Sequence, residues 1–134
     1  MKVKKLKQVT NYPFVNMFEL EYEDMRGQDK IWQFASRHDE PKCISRSFDE
    51  SDAVVIVPFH EEREKLVLIK EFRVPLADYQ FGFPAGLIDQ GETIEIAAKR
   101  ELKEETGLLM TDILKVSPPV YSTSGLTDES ITML

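Results

Sequence analysis

The sequence predicts a mixed α/β (α+β) fold, and three observations carry that expectation. Residues 1–50 read as short strands without a helix. The run Ala53-Val54-Val55-Ile56-Val57-Pro58-Phe59 is apolar, β-branched and of strand length, the pattern of a buried strand. Residues 93–106 give the clearest helical periodicity in the chain.

Taken in order, residues 3–9 alternate in part, with Val3, Leu6 and Val9 set between lysines, and give a first strand. Phe18-Glu19-Leu20-Glu21-Tyr22 alternates apolar with acidic residues, as a half-buried strand does. Ile31-Trp32-Gln33-Phe34-Ala35 is the third, and Arg26-Gly27-Gln28-Asp29 before it reads as a hairpin turn. Three strands make a poor core alone, so this N-terminal antiparallel extension, residues 1–45, must pack on something else. Residues 37–52 are polar, include Pro41, and read as a linker into a second domain over residues 46–134. There the strand at 53–59 is followed by a solvated turn at 60–64 and a strand at 65–69. In the helix, Ile94, Ala97, Ala98 and Leu102 share one stripe; Thr93 can cap its start and Gly107 can take the left-handed position past its end. Residues 113–116 and 130–134 are expected strands. Ile131-Thr132-Met133-Leu134 is apolar and carries no polar cap or turn. The last strand is therefore expected to be cut short and the C-terminal part of the domain to be missing.

The 134 residues are 42% hydrophobic and 31% charged, ordinary values for a globular chain. A formal net charge of -7 argues against a nucleic-acid partner. It leaves a small phosphorylated substrate open, because bound divalent cations reverse local charge. Cys43 is the single cysteine; it can form no intrachain disulfide and reads as a structural thiol in a reducing compartment. No apolar run approaches the ~20 residues of a membrane span. No apolar signal core follows the basic start. A cytoplasmic protein with no membrane partner is expected.

The chemistry concentrates in Gly86-Leu87-Ile88-Asp89-Gln90-Gly91-Glu92 and Arg100-Glu101-Leu102-Lys103-Glu104-Glu105-Thr106-Gly107-Leu108. Glu101, Glu104 and Glu105 stand at i, i+3 and i+4 and lie close together on a helix. Glu101 and Glu105 are in register with Ile94 and Ala98, on the inward stripe. Clustered carboxylates there raise each other's pKa, a cost that a hard divalent cation with oxygen ligands relieves. Arg100 can pair with a neighbouring carboxylate and hold it in place. A solvated, salt-bridged helix face is the competing reading of three glutamates alone; Gly86 and Gly91, flanking a tight loop at the helix start, shift the balance.

The spacing G-x5-E-x7-R-E-L-x-E-E-x-G-L resembles the Nudix box at every defining position. At average residue usage, a chance match is on the order of one in a billion per window. The resemblance implies the Nudix fold, a mixed sheet sandwiched between helices. It implies a magnesium-dependent hydrolase, with manganese as the alternative ion, in which Arg100, Glu101, Glu104 and Glu105 form the catalytic set. The glutamates would hold the metal, joined by a backbone carbonyl at Ala85 or Gly86. The flanks Lys70-Glu71-Phe72-Arg73-Val74-Pro75, Phe83-Pro84-Ala85-Gly86-Leu87-Ile88-Asp89, Ser117-Pro118-Pro119-Val120-Tyr121 and Ser124-Gly125-Leu126-Thr127-Asp128-Glu129 resemble the ADP-ribose pyrophosphatase branch. That branch implies hydrolysis of ADP-ribose to AMP and ribose 5-phosphate, and a homodimer made by exchange of the N-terminal strands. It also makes Trp32, Arg37, Arg73 and Glu129 candidate substrate contacts. A general base is expected in a loop beyond residue 134, so residues 1–134 alone are expected to be weakly active or inactive. Competing readings are another nucleoside diphosphate derivative as substrate, or a non-catalytic ligand sensor.

Overall fold

A computed structural model describes all of residues 1–134. The strands are β1 (Lys2–Gln8), β2 (Asn16–Glu23), β3 (Asp29–Ser36), β4 (Ala53–Val55), β5 (Phe59–His60), β6 (Lys65–Leu66), β7 (Ile69–Arg73), β8 (Asp78–Gly82), β9 (Ala85–Leu87), β10 (Val120–Tyr121) and β11 (Ser130–Met133). The helices are α1 (Lys42–Ser45) and α2 (Ile94–Thr106). The chain divides into two compact units, Met1–Phe48 with Tyr121–Glu129, and Asp49–Val120 with Ser130–Leu134.

The first unit is built on the antiparallel sheet β1-β2-β3. Alternation along β2 and β3 puts Phe18 directly opposite Phe34, and their buried rings stack with centroids 5.7 Å apart. The turn between these strands closes on Asp24, whose carboxylate accepts the amides of Arg26 (2.8 Å) and Gln28 (2.9 Å), while Gly27 takes φ 74°. Residues 121–129 dock on β3 through Ala35 N–H donating to the Leu126 carbonyl (2.9 Å). The expected featureless linker over 37–52 contains α1. Its turn closes on the Pro41 carbonyl, and Asp128 accepts the Lys42 amide at 2.9 Å. Four residues are too few to show a helical period in a sequence.

In the second unit β4 lies between β11, parallel to it, and β9, antiparallel to it. This is the expected mixed sheet, and α2 packs against β4 and β9. Val54, Ile56, Ala97, Ala98 and Leu102 form the buried core, with Ile88, Ile94, Leu108, Met110 and Leu134 packed around it. The alanines let the helix approach the sheet closely. Thr93 accepts the Ile96 amide at its side-chain oxygen (3.3 Å), and Gly107 closes the helix at φ 74°. Thr93→Ala is expected to destabilise by about 0.5–1 kcal/mol, the low end for a cap because the bond is long; urea unfolding of the two proteins measures it.

Three strand expectations are corrected. The run 53–59 is interrupted: β4 ends at Val55, Pro58 has no amide to continue a ladder, and an exposed Phe59 pairs with Leu66 instead. The strand expected at 65–69 splits. Val67 donates to the Pro58 carbonyl (2.9 Å), while Ile69 opens the β7–β8 hairpin, which was not anticipated. Residues 113–116 form no strand, and Leu114 is 92% exposed. No helix is long and apolar enough to cross a membrane.

Candidate active site

The loop from β9 to α2 is arranged around one guanidinium. Glu92 N–H donates to the Asp89 carbonyl (2.9 Å), and its carboxylate accepts the Asp89 amide (3.0 Å). That carboxylate faces Arg100 two turns into the helix and is gripped at both oxygens, by Nε at 2.9 Å and Nη2 at 2.8 Å. This fork-to-fork pairing fixes orientation as well as charge. The remaining Arg100 hydrogens reach the Leu87 carbonyl (3.0 Å), Glu101 Oε1 (2.6 Å) and, more loosely, Glu104 Oε2 (3.4 Å). One side chain thus ties β9, the loop and the carboxylate ridge of α2 together.

Glu101 is turned inward, with its side chain 13% exposed, and its carboxylate lies over Gly86. A Cβ built at Gly86 would overlap it, so the cradle exists because residue 86 has no side chain. Glu105 accepts the Ala85 amide at 3.1 Å. The residue is exposed by area, yet its carboxyl is pushed above the usual carboxylate range. Loss of solvent around it is the largest cause, opposed by the Ala85 amide. The charges of Glu101 and Glu71 raise it further and Arg73 lowers it. Arg73 itself pairs with Glu71 at 2.5 Å. Glu104 is the freest of the three, with its side chain 60% exposed.

The structure therefore brings Arg100, Glu101, Glu105, Ala85 and Gly86 together, with Glu104 at the outer rim. As they stand, no three acidic, histidine or cysteine side chains converge tightly enough to hold a metal ion. Arg100 partly neutralises the ridge, pairing with Glu101 and Glu104 as well as with Glu92. The donor set nevertheless fits a hard divalent cation: all its atoms are carboxylate or carbonyl oxygens, and the Gly86 cradle already admits one of them. Trp32, Arg37 and Glu129 belong to the first unit. Arg37 Nε pairs with Glu129 at 2.9 Å, and the Trp32 indole N–H donates to the Gly125 carbonyl at 3.0 Å, leaving the residue 50% exposed.

Glu92 stands in the motif but was assigned no role from sequence. Its signal was its position just ahead of a helix bearing an arginine on the second turn. Arg100, then the Asp89 amide, hold its carboxyl down to about 2. Because that value lies below the 4.5 of an unperturbed glutamate, the stability it contributes is present above pH 4.5 and is lost as pH falls towards 2. Glu92→Gln is expected to remove that part of the acid sensitivity, read from thermal unfolding midpoints between pH 2 and 7. An unchanged profile would contradict the assignment.

Residues 50–132 match the NUDIX domain family model. The chain is 36% identical over 110 residues to ADP-sugar pyrophosphatase of Mus musculus, covering 80% of this chain and 47% of the relative. It is 31% identical over 133 residues to ADP-ribose pyrophosphatase of Saccharomyces cerevisiae, covering 96% of this chain and 54% of the relative. It is also 42% identical over 76 residues to ADP compounds hydrolase NudE of Escherichia coli, covering 53% and 40%. The chain spans about half the length of the curated relatives it matches. A solved structure described as an ADP compounds hydrolase superposes with a TM-score of 0.74 at 24% identity, over 99% of this chain and 65% of that one, and shows the same fold. With the box residues assembled on β9 and α2 and the family model spanning most of the second unit, the chain belongs to the Nudix family.

Proposed function

We propose that this chain carries the metal site of a pyrophosphohydrolase acting on nucleoside diphosphates linked to another group, with ADP-ribose as the leading substrate and AMP and ribose 5-phosphate as products. The observation that carries this reading is the Gly86 cradle: Glu101 is held over strand backbone by Arg100 and Glu105 is held by the Ala85 amide, so acidic oxygens of α2 gather at the backbone of β9. The substrate class draws support from relatives named for ADP-ribose, ADP-sugars and ADP compounds.

Magnesium, with manganese as the alternative, would be held by Glu101, Glu104, Glu105 and the carbonyl of Ala85 or Gly86. When bound, such an ion neutralises phosphate oxygens and lowers the pKa of a water. The chain's own residues supply the positioning: Glu92 holds Arg100, Arg100 orients Glu101, and Ala85 orients Glu105. Arg73 and Arg37 are assigned to phosphate or ribose contacts, since a guanidinium fork matches phosphate oxygens, with Glu129 directed at the diphosphate. Trp32 is assigned to the base, which an aromatic face binds at about 1–3 kcal/mol. Homodimerisation through the N-terminal strands and a cytoplasmic setting belong to the same proposal. A dimer by light scattering that dissociates on deletion of residues 1–36 would support the first.

The test is a product screen with magnesium or manganese against ADP-ribose, a nucleoside diphosphate sugar, a dinucleotide and a dinucleoside polyphosphate. It is run on residues 1–134 and on the full-length gene product. Release of AMP and ribose 5-phosphate from ADP-ribose is the expected result. No turnover of any compound by the full-length gene product removes the hydrolase reading.

A further inference from the structure

Three of the proposed substrate contacts, Trp32, Arg37 and Glu129, lie on one seam in the first unit. There the segment 121–129 runs parallel to the end of β3, with Thr127 bridged to Ala35. Its acceptors meet the donors of β3 and of Arg37 just past it in chain order. The Gly125 carbonyl takes the Trp32 indole N–H (3.0 Å) and the Leu126 carbonyl the Ala35 amide (2.9 Å). The Asp128 carboxylate then takes the Ser36 hydroxyl (3.0 Å), and the Glu129 carboxylate the Arg37 Nε–H (2.9 Å). Asp128 also binds a third element: the same Oδ2 that accepts from Ser36 accepts the Lys42 amide at the start of α1 (2.9 Å). Ser36 is 3% exposed, and its Oγ accepts the His38 amide at 3.1 Å. A carboxylate accepts and does not donate, so the hydroxyl proton of Ser36 points to Asp128 and a lone pair to His38.

We infer that Asp128 is a positioning residue for the substrate: it sets the geometry of the Arg37–Glu129 pair, and of the seam that carries Trp32, without touching the substrate itself. The bonds running from His38 through Ser36 and Asp128 to Lys42 hold the backbone on both sides of Arg37. On the opposing segment they hold the residue directly before Glu129. The pair needs that support. Its side chains are 42% and 30% exposed, and an ion pair so open to solvent fixes geometry weakly by itself. Asp128 thus orients two groups of opposite charge by gripping their neighbours, which leaves the guanidinium and the second carboxylate free to face a ligand. The inference rests on the proposed substrate contacts of Trp32, Arg37 and Glu129. It concerns binding rather than chemistry, because Glu101, Glu104 and Glu105 share none of these hydrogen bonds.

Asp128→Ala and Asp128→Asn in the full-length gene product test it, with Ser36→Ala as a milder cut at the other end of the same bond. Asparagine keeps an oxygen able to accept both hydrogen bonds and should behave as the parent. Asp128→Ala is expected to raise KM for ADP-ribose about tenfold, the scale of a lost hydrogen bond to a charged group, and to change kcat by less than about twofold. Ser36→Ala should raise KM about threefold. Without ligand, the Trp32 indole N–H followed by NMR should exchange about tenfold faster in Asp128→Ala and at the parental rate in Asp128→Asn. Parental KM in both alanine variants, a fall in kcat as large as the rise in KM, or Asp128→Asn as impaired as Asp128→Ala overturns the inference. Calorimetric titration of ADP-ribose with divalent ions chelated keeps this separate from the hydrolase reading. A parent that binds but does not turn over ends that reading alone, and a Kd about tenfold weaker in Asp128→Ala then still supports the positioning role. Equal affinities, or a parent that does not bind ADP-ribose, overturn it.

Discussion

On the hydrolase reading proposed above, replacing Glu104 with glutamine is expected to lower hydrolysis of ADP-ribose by about 10²–10³-fold, the scale of losing transition-state charge stabilisation, here through the cation that the carboxylate would hold. The folding free energy should stay within about 0.5 kcal/mol. The separation follows from where Glu104 sits. Its side chain is 60% exposed, and its one hydrogen bond, to Arg100, is long at 3.4 Å, so little of the fold leans on it. Yet it stands one turn from Glu101 and next to Glu105, at the mouth of the carboxylate ridge. The amide of glutamine keeps the volume and removes only the charge. Single-turnover rates and unfolding midpoints on the same samples check both halves. Because this is the outermost carboxylate, the variant also separates an enzyme from a sensor: an enzyme loses turnover with ligand affinity largely kept, whereas a sensor has no turnover to lose. Full activity in Glu104→Gln would take that carboxylate out of the reaction.

What the sequence disclosed and what it withheld divide along physical lines. Helix α2 was legible almost to the residue because every signal agreed: a cap at Thr93, a stripe at Ala97, Ala98 and Leu102, and a left-handed glycine at 107. The hairpin at Phe18 and Phe34 was legible for the same reason, alternation reinforced by a turn. The box named candidate site residues but not their geometry. Arg100 was expected to brace one carboxylate, yet it braces Glu92 and Glu101 together and also reaches a backbone carbonyl. The β7–β8 hairpin was missed because its turn uses Val74-Pro75-Leu76 and a left-handed Ala77, none of which announces a turn as Asn-Gly does. The strand expected at 113–116 failed differently. Local pattern supplied the propensity, but a strand exists only when a neighbour completes its ladder.

The glycine at 86 offers the sharpest separation of site from scaffold. In Gly86→Ala the atoms nearest the new methyl group are those of the Glu101 carboxylate, the far end of a flexible side chain. The ladder that pairs Gly86 with Val54 can therefore persist while the carboxylate swings away. The expected result is a small change in unfolding midpoint with a loss of about 10–100-fold in magnesium or manganese affinity, the range seen when a group that orients a metal ligand is disturbed. Gly91→Ala makes the contrasting control. Nothing lies within 4 Å of a Cβ there, but φ is +86°, a conformation that an alanine adopts only with strain. That variant should lose stability by about 1 kcal/mol, while Glu101 stays in its cradle. Calorimetric metal titration alongside thermal unfolding distinguishes the two patterns. If Gly86→Ala bound metal as tightly as the parent, the position of Glu101 against the strand would be irrelevant to the cation, and the metal-site reading would have to move to other oxygens.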